Sequence, residues 1–434
     1  MLTIYSNHIA ITNKVVVFIV RYSSIQNCLW IVDLARLQKT KLTDHIELIA
    51  TSFSKMESEN FDVSKKTGFL PQEPIQKLGD YFSEWKKAAQ SLPQLIHDNC
   101  LKETIVALPE KEFNAKTLNT EGEWRWAYVI VSFLAQAYIY ISGDRTGSAV
   151  VLPSKLAIPW HTVAKHIGVP PVATYAAVVL YNYTLKDPSR TVDADNLQAA
   201  LTFTGSSKES WFFMVHVLEE TAAAPGLEAI VTAYKALSSK DNEALGRSLQ
   251  TIAESLHLMK TTLAKMYDHC TPEFFYNELR PFLCFPASGI LYSGVSSEVK
   301  RYRSGSAAQD SAIPAFNIFL GTKHGSEEQE ILDDFKFYMP AKHREFLVTM
   351  GQQPSVSYYV QESGDAELIR SYDEAVDALA SFRSRHISLV TSYIINVKQR
   401  QGEESSEEDK GSGGTPFMRF LKKVRDNTKF HKEI

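Results

Sequence analysis

Between residues 372 and 397 the apolar side chains recur every three or four positions. Ala375, Leu379, Phe382, Leu389 and Tyr393 fall on one line, with His386 in its middle. That spacing lays them along one face of an α-helix, whereas a strand would deal them to both faces of a sheet. The same period runs through 175–183, 211–224, 228–235 and 241–268, and almost no segment alternates as a strand does. Long helices without strand alternation predict an all-α fold.

The chain has 434 residues, enough for two or more packed domains. Residues 1–55 hold scattered apolar clusters and read as an N-terminal extension with no assigned role. Near Met56 the sequence turns polar (MESENFDVSKKTGFLPQEPI), and Gly68, Pro71 and Pro74 set an extended lead-in before helical spacing begins at Leu78. A small helical domain is expected over 56–155 and a large helical domain over 156–398. Residues 399–414 are acidic and rich in Gly and Ser, a composition that cannot bury a core, and predict a mobile loop. Residues 415–434 return as a short basic amphipathic helix and tail, with Phe417, Phe420, Leu421 and Val424 on one face. A chain that folds again after such a loop uses it as a hinge or lid.

The formal charge of −4 is spread along the chain, with no basic stripe interleaved with aromatics, which argues against a nucleic-acid partner. Cys28, Cys100, Cys270 and Cys284 form no C-x-x-C pair and no zinc or iron–sulfur spacing, as in a reduced, cytoplasmic protein. The apolar run at 15–20 is far short of the roughly 20 residues that span a bilayer, and its polar approach and Arg21 make a poor signal peptide. No membrane association is expected, and the chain is taken to act as a monomer.

Two histidines draw attention. His386 lies mid-stripe, although a histidine on a buried face is more often a hydrogen-bonded core residue than a ligand. His216, in WFFMVHVLEETAAA, is four residues from Phe212, so an aromatic ring and an imidazole share one side of a helix. It too has a plain reading as core. On two separate helices, the pair would also suit a bundle that clamps a planar cofactor, one histidine axial and one distal.

Several blocks carry a family resemblance. FDVSKKTGFLPQEP, LYNYTLKDP, the ETAAA helix end, ELRPFL, GSAAQDSAIPAFNIFLG, MPAKHREFL, SFRSRHISLVTSYI and GSGGTPFMRFLKKVR occur in this order from Phe61 to the C-terminal helix. Together they resemble the indoleamine 2,3-dioxygenase family. The resemblance implies heme b in the large domain, ferrous when active, and insertion of both atoms of dioxygen across the C2=C3 bond of L-tryptophan or a related indole. The product would be N-formylkynurenine, the first step of the kynurenine pathway.

The resemblance also assigns residues one at a time. His386, in RSRH, matches the proximal iron ligand. His343, in PAKHRE, is the rival; its charged neighbours Lys342, Arg344 and Glu345 point to an exposed helix start, and the family's histidine there is not the ligand. Arg280 matches the arginine that pairs with the substrate carboxylate, and Phe275 the aromatic that packs on the indole. Tyr175, Val178, Val179, Phe212 and Leu283 match the lining of the indole pocket. Gly305, Ser306 and Ala307 match a small-residue segment along the heme edge, and Ser412 the residue that contacts the amino-acid end of the substrate when the loop closes.

Two positions depart from the best-known animal enzymes. His216 stands where they carry a distal serine, although the related tryptophan 2,3-dioxygenases also use a distal histidine. It is the candidate to hydrogen-bond dioxygen or the indole N–H. Asn317 stands where they have an aspartate that supports the proximal side with the arginine matched by Arg383, so the charge balance beneath the heme is expected to differ. Mollusc myoglobins resemble the same family, which makes a dioxygen-binding heme protein without catalysis the alternative. Retention of Arg280, Phe275 and the GSGG loop favours the enzyme, since a carrier needs no carboxylate clamp.

Overall fold

The computed structural model describes residues 11–12, 15–20, 28–33, 58–72, 78–109, 114–143, 148–403 and 417–430. Ser412 and the rest of the predicted acidic loop from residue 404 onward lie outside the described residues. The chain divides into two compact units, Met1–Met56 and Glu57–Ile434.

In the first unit, β1 (Ile11–Thr12), β2 (Val15–Val20) and β3 (Cys28–Asp33) form an antiparallel sheet in that order. Val15 pairs with Asp33 and Val20 with Cys28. The run VVVFIV is dominated by β-branched residues, which favour strands. Helical periodicity elsewhere in the chain gave no sign of this sheet.

The second unit is helical, with a few strands of two or three residues. Its elements are α1 (Ser83–Gln90), α2 (Leu92–His97), α3 (Leu101–Ala107), α4 (Glu121–Ser142), α5 (Ser154–Ile167), α6 (Ser207–Ser239), α7 (Asn242–Ala264), α8 (Ala312–Leu320), α9 (Ser326–Lys336), α10 (Ala341–Gly351), α11 (Val356–Ser363), α12 (Ala366–Val390) and α13 (Phe417–Phe430). Among the described residues, no helix is long and apolar enough to cross a membrane.

Helix α4 is capped by a reciprocal pair: Thr120 Oγ1 accepts from Glu123 N–H at 3.2 Å, and Glu123 Oε2 accepts from Thr120 N–H at 3.0 Å. From Trp126 to Ala137 every residue is buried, so this helix is apolar on all sides and runs through the core. Most polar groups there are paired, as where Trp160 Nε1–H donates to Ser132 Oγ at 2.8 Å and Gln136 Nε2–H to Cys284 O at 3.0 Å, while Trp126 Nε1 has no partner among the described residues.

The frame of the site is the trio α6, α7 and α12, with α7 packed against both of the others. The sequence predicts two helical stretches, 211–224 and 228–235, yet α6 is continuous across Pro225. Proline removes one helical hydrogen bond and displaces its neighbours. Ser255 of α7 repairs the gap: its hydroxyl donates to Ala222 O at 2.5 Å and accepts from Gly226 N–H at 3.2 Å. A Cβ on Gly226 would come within 2.9 Å of both Phe316 and Ser255, so only glycine admits this close approach of α7.

Helix α12 begins six residues before the predicted 372. Asp365 is its N-cap, with Oδ1 accepting from Glu367 N–H at 3.1 Å and Leu368 N–H at 3.2 Å. Its far end loosens into a π turn, Thr391–Ile395, before α-helix resumes over Asn396–Arg400. Single π turns of this kind gather at functional sites.

Candidate functional site

One cavity lies between α6 and α12 and is closed by α13. Its lining includes Phe212, His216 and Glu219 from α6, Phe382, Arg383, His386 and Leu389 from α12, and Phe417, Phe420, Leu421 and Val424 from α13. The four α13 residues are those that the sequence places on one helical face. Of the predicted stripe on α12, Phe382, His386, Leu389 and Tyr393 reach the cavity, while Ala375 and Leu379 are buried in the core above it.

His386 makes no hydrogen bond to another described residue. Burial above all pushes its pKa down to about 4, which keeps the imidazole neutral and its lone pair available. One turn before it, Arg383 is buried among uncharged acceptors. Its guanidinium donates to Asn317 Oδ1 at 2.6 Å, to Val424 O at 3.1 Å and to Thr428 Oγ1. Burial pushes this group down to about 9. The departure at Asn317 noted in the sequence thus sits in direct contact with Arg383.

Across the cavity, His216 Nδ1 lies 2.9 Å from Phe212 O. A carbonyl oxygen only accepts, so Nδ1 carries the proton and Nε2 presents a lone pair. Burial lowers the His216 pKa, so the neutral form prevails. The Phe212 ring lies 5.0 Å from the imidazole and stacks on Phe275 at 4.8 Å. Tyr175 meets the imidazole edge-on at 6.1 Å.

Tyr175, Val178 and Val179 reach the cavity from Tyr175 and the π turn Ala176–Leu180 that follows it. The 304–309 segment is tied to that turn. Tyr175 N–H donates to Gln309 Oε1 at 2.9 Å, and Gln309 Nε2 donates to Ser304 O at 2.8 Å. Gly305, Ser306 and Ala307 all line the cavity. Glycine is required at 305 because a Cβ would stand 2.6 Å from the Ala173 carbonyl oxygen. The constraint is therefore backbone packing, where the family resemblance implies only a small-residue segment along a heme edge.

Phe275 and Leu283 also line the cavity, from the π turn Phe275–Leu279 and the 3₁₀ turn Arg280–Leu283. Arg280 lies between them in sequence but outside the lining, its guanidinium 5.4 Å from the centre of the Tyr276 ring. Tyr276 OH donates to Glu403 Oε2 at 3.2 Å, and Arg400 pairs with Glu273 at 2.9 Å. The segment that carries Arg280 is thereby joined to the residues leading into 404–416.

His343 corrects one expectation. It is 2% exposed, not at an exposed helix start, and it lies outside the cavity lining. Its ring packs on Phe69 at 4.5 Å, and Nδ1 lies 3.4 Å from Ser311 Oγ. The charged neighbours turn away from the core: Lys342 reaches Asp62 at 3.4 Å, and Arg344 donates to Gly168 O at 2.7 Å.

Sequence reasoning missed two acidic residues in the lining, Glu219 and Asp310. Asp310 caps α8, accepting from Ala312 N–H at 2.8 Å and Ile313 N–H at 3.0 Å. Burial first, and Asp310 second, push Glu219 and Glu220 well above the usual carboxyl range. The spacing of Glu219, three residues after His216, was the available signal.

Among the described residues, no group of three or more His, Cys, Asp or Glu converges to hold a metal. A lone imidazole facing an apolar cavity suits a metal that brings its remaining donors with it, as a porphyrin does. The model of the indoleamine 2,3-dioxygenase family matches residues 57–431. The human protein named indoleamine 2,3-dioxygenase 2 is 35% identical over 386 residues, covering 85% of this chain and 94% of that protein. Rat indoleamine 2,3-dioxygenase 1 is 32% identical over 402 residues, covering 89% of this chain and 98% of its own length. A protein named myoglobin from Haliotis diversicolor is 31% identical over 377 residues, covering 85% and 97%.

Proposed function

The chain belongs to the indoleamine 2,3-dioxygenase family, and from that premise we propose that its central cavity binds heme b and opens the indole ring of L-tryptophan. The protein is a heme-dependent dioxygenase. The observation that carries this reading is the pair of imidazoles, His216 buried and His386 half-buried, that face one apolar cavity from two helices. Each has a ring nitrogen without a partner among the described residues. Ring nitrogens that open on an apolar cavity are satisfied when a ligand takes them up.

In this reading His386 is the residue that would hold the heme iron. Arg383, a buried guanidinium with only neutral partners, would suit the anionic groups of a porphyrin, and Gly305, Ser306 and Ala307 would line it. When bound, the ferrous heme supplies the centre at which dioxygen reacts with the indole C2=C3 bond, both oxygen atoms ending in N-formylkynurenine.

The chain's own residues bind and orient. The stacked rings of Phe212 and Phe275 form an aromatic wall for the indole, and Tyr175, Val178, Val179 and Leu283 complete an apolar surround that excludes water. His216 Nε2, held as an acceptor, takes the indole N–H and so fixes which way the ring faces. Arg280 takes the substrate carboxylate through its planar fork, and Ser412 contacts the amino-acid end. Fixing both ends of the substrate turns a diffusional encounter into a positioned one. The free thiols Cys100, Cys270 and Cys284 suit a reducing, cytoplasmic setting.

The relative named myoglobin raises a second reading, a dioxygen carrier. The His216 tautomer argues against it, because a carrier's distal imidazole must donate to its ligand while Nε2 here accepts. The test is to incubate reduced, heme-loaded protein with L-tryptophan and dioxygen. N-formylkynurenine absorbance is the expected result; stable dioxygen binding without product would establish the carrier.

A further inference from the structure

With no substrate in the cavity, His216 Nε2 has no indole N–H to accept. The imidazole is 8% exposed, and its Nδ1–H is committed to Phe212 O at 2.9 Å. A hydrogen bond from the other ring nitrogen to a backbone carbonyl is what metal-bound histidines show, since it fixes the tautomer and raises the basicity of the free nitrogen. Phe212 at 5.0 Å and Tyr175 at 6.1 Å hem the ring in. Nε2 therefore faces the cavity with no described residue to satisfy it. Helices α6 and α12 both pack on α7, so His216 and His386 enter one cavity from separate walls.

We infer that in the substrate-free protein His216 Nε2 is itself an iron ligand, opposite His386, and that tryptophan displaces it. The inference rests on the heme reading and adds to it a resting state closed by the protein's own side chain. No covalent chemistry is involved: one coordination bond is exchanged, and the released nitrogen becomes the acceptor for the indole N–H. Nε2 thus has a partner in both states. Dioxygen then reaches the metal only once substrate is in place, and idle oxidation is suppressed.

The test uses the full-length ferric holoprotein, with heme content measured beside absorption and electron paramagnetic resonance spectra. The wild type should bind one heme and give a low-spin, two-imidazole spectrum. Adding L-tryptophan should shift it to high spin. His216→Ser and His216→Leu should each keep one heme and be high-spin without tryptophan, and each should bind cyanide at least tenfold faster than the wild type. A wild type that binds one heme and is high-spin overturns the inference. So does a low-spin signal that survives both substitutions, or one that tryptophan leaves unchanged. A wild type that takes up no heme fails at the earlier step and overturns the heme reading along with this one.

Discussion

Arg383 Nη2 donates a 2.6 Å hydrogen bond to the carboxamide oxygen of Asn317, so a buried cation is held by a neutral partner. Its other acceptors, Val424 O and Thr428 Oγ1, are neutral as well. Replacing Asn317 by Asp would place a carboxylate against the guanidinium with little change of shape and add one negative charge to the cavity wall. Negative charge near a heme favours the ferric form. The midpoint potential of Asn317→Asp should fall by several tens of millivolts; about 59 mV is a tenfold change in a one-electron equilibrium. Spectroelectrochemical titration of both proteins measures this, and an unchanged or higher potential in the variant would refute it.

The two candidate iron ligands are separated by a heme-uptake experiment. His386 faces the cavity and His343 is packed on Phe69 outside it. His386→Ala should lose stable heme binding, while His343→Ala should keep its heme and lose only stability. The Soret absorbance per protein chain, with circular dichroism to establish folding, is the measurement. Equal heme loss in two folded variants would argue against His386.

What the sequence made legible was periodicity. The α12 stripe and the apolar face of α13 point where their spacing says, because a helix that must bury one face repeats at its own pitch. For His343 the charged neighbours point to solvent while its spacing points to the core, and the spacing holds. Phe346, Leu347 and Met350 follow it at three, four and seven positions and are buried with it. Long Lys and Arg side chains carry their charge away from the backbone, so they say little about where the next residue points. Glu219 was missed for a related reason: a carboxylate in a helix suggests solvent, although its place three residues after His216 puts it on the same side of α6. The glycine at 305 was anticipated, but its cause lies in the Ala173 carbonyl, more than a hundred residues away in sequence.

Acid sensitivity follows from His343. Burial first, and then the charges of Arg125 and Arg344, push its pKa from 6.5 in the unfolded chain to about 3 in the fold. The folded pKa is the lower one, so the unfolded chain takes up the proton first as pH falls. The stabilisation is whole above pH 6.5 and is lost progressively from there down towards the folded value. Between pH 7 and pH 5 the loss through this one residue is about 2 kcal/mol. Urea unfolding at the two pH values should show a drop in wild-type stability that is smaller by about that amount in His343→Asn. His216 and His386 add a loss of the same sign to both proteins and cancel in the comparison. An equal drop in both would mean that His343 titrates normally.

Arg280 is the proposed partner of the substrate carboxylate, and its surroundings suggest how it is held for that task. The guanidinium lies over the Tyr276 ring at 5.4 Å, and Tyr276 OH donates to Glu403, the last described residue before 404–416. Arginine, tyrosine and glutamate thus form a chain from the edge of the cavity to the base of the following segment. A charge-assisted pair shielded from water contributes roughly 2–4 kcal/mol. Arg280→Ala should therefore raise the KM for L-tryptophan by about thirty- to a thousandfold, with heme content and spectrum unchanged. Tyr276→Phe keeps the ring beneath the guanidinium and removes only the hydrogen bond to Glu403. Such a bond is worth about 1 kcal/mol, so KM should rise no more than about fivefold. Steady-state kinetics on the three proteins at matched heme loading gives the answer. If Arg280→Ala keeps the wild-type KM, the arginine is structural and the carboxylate is held elsewhere. If Tyr276→Phe costs as much as Arg280→Ala, the Glu403 contact is the element that positions the guanidinium.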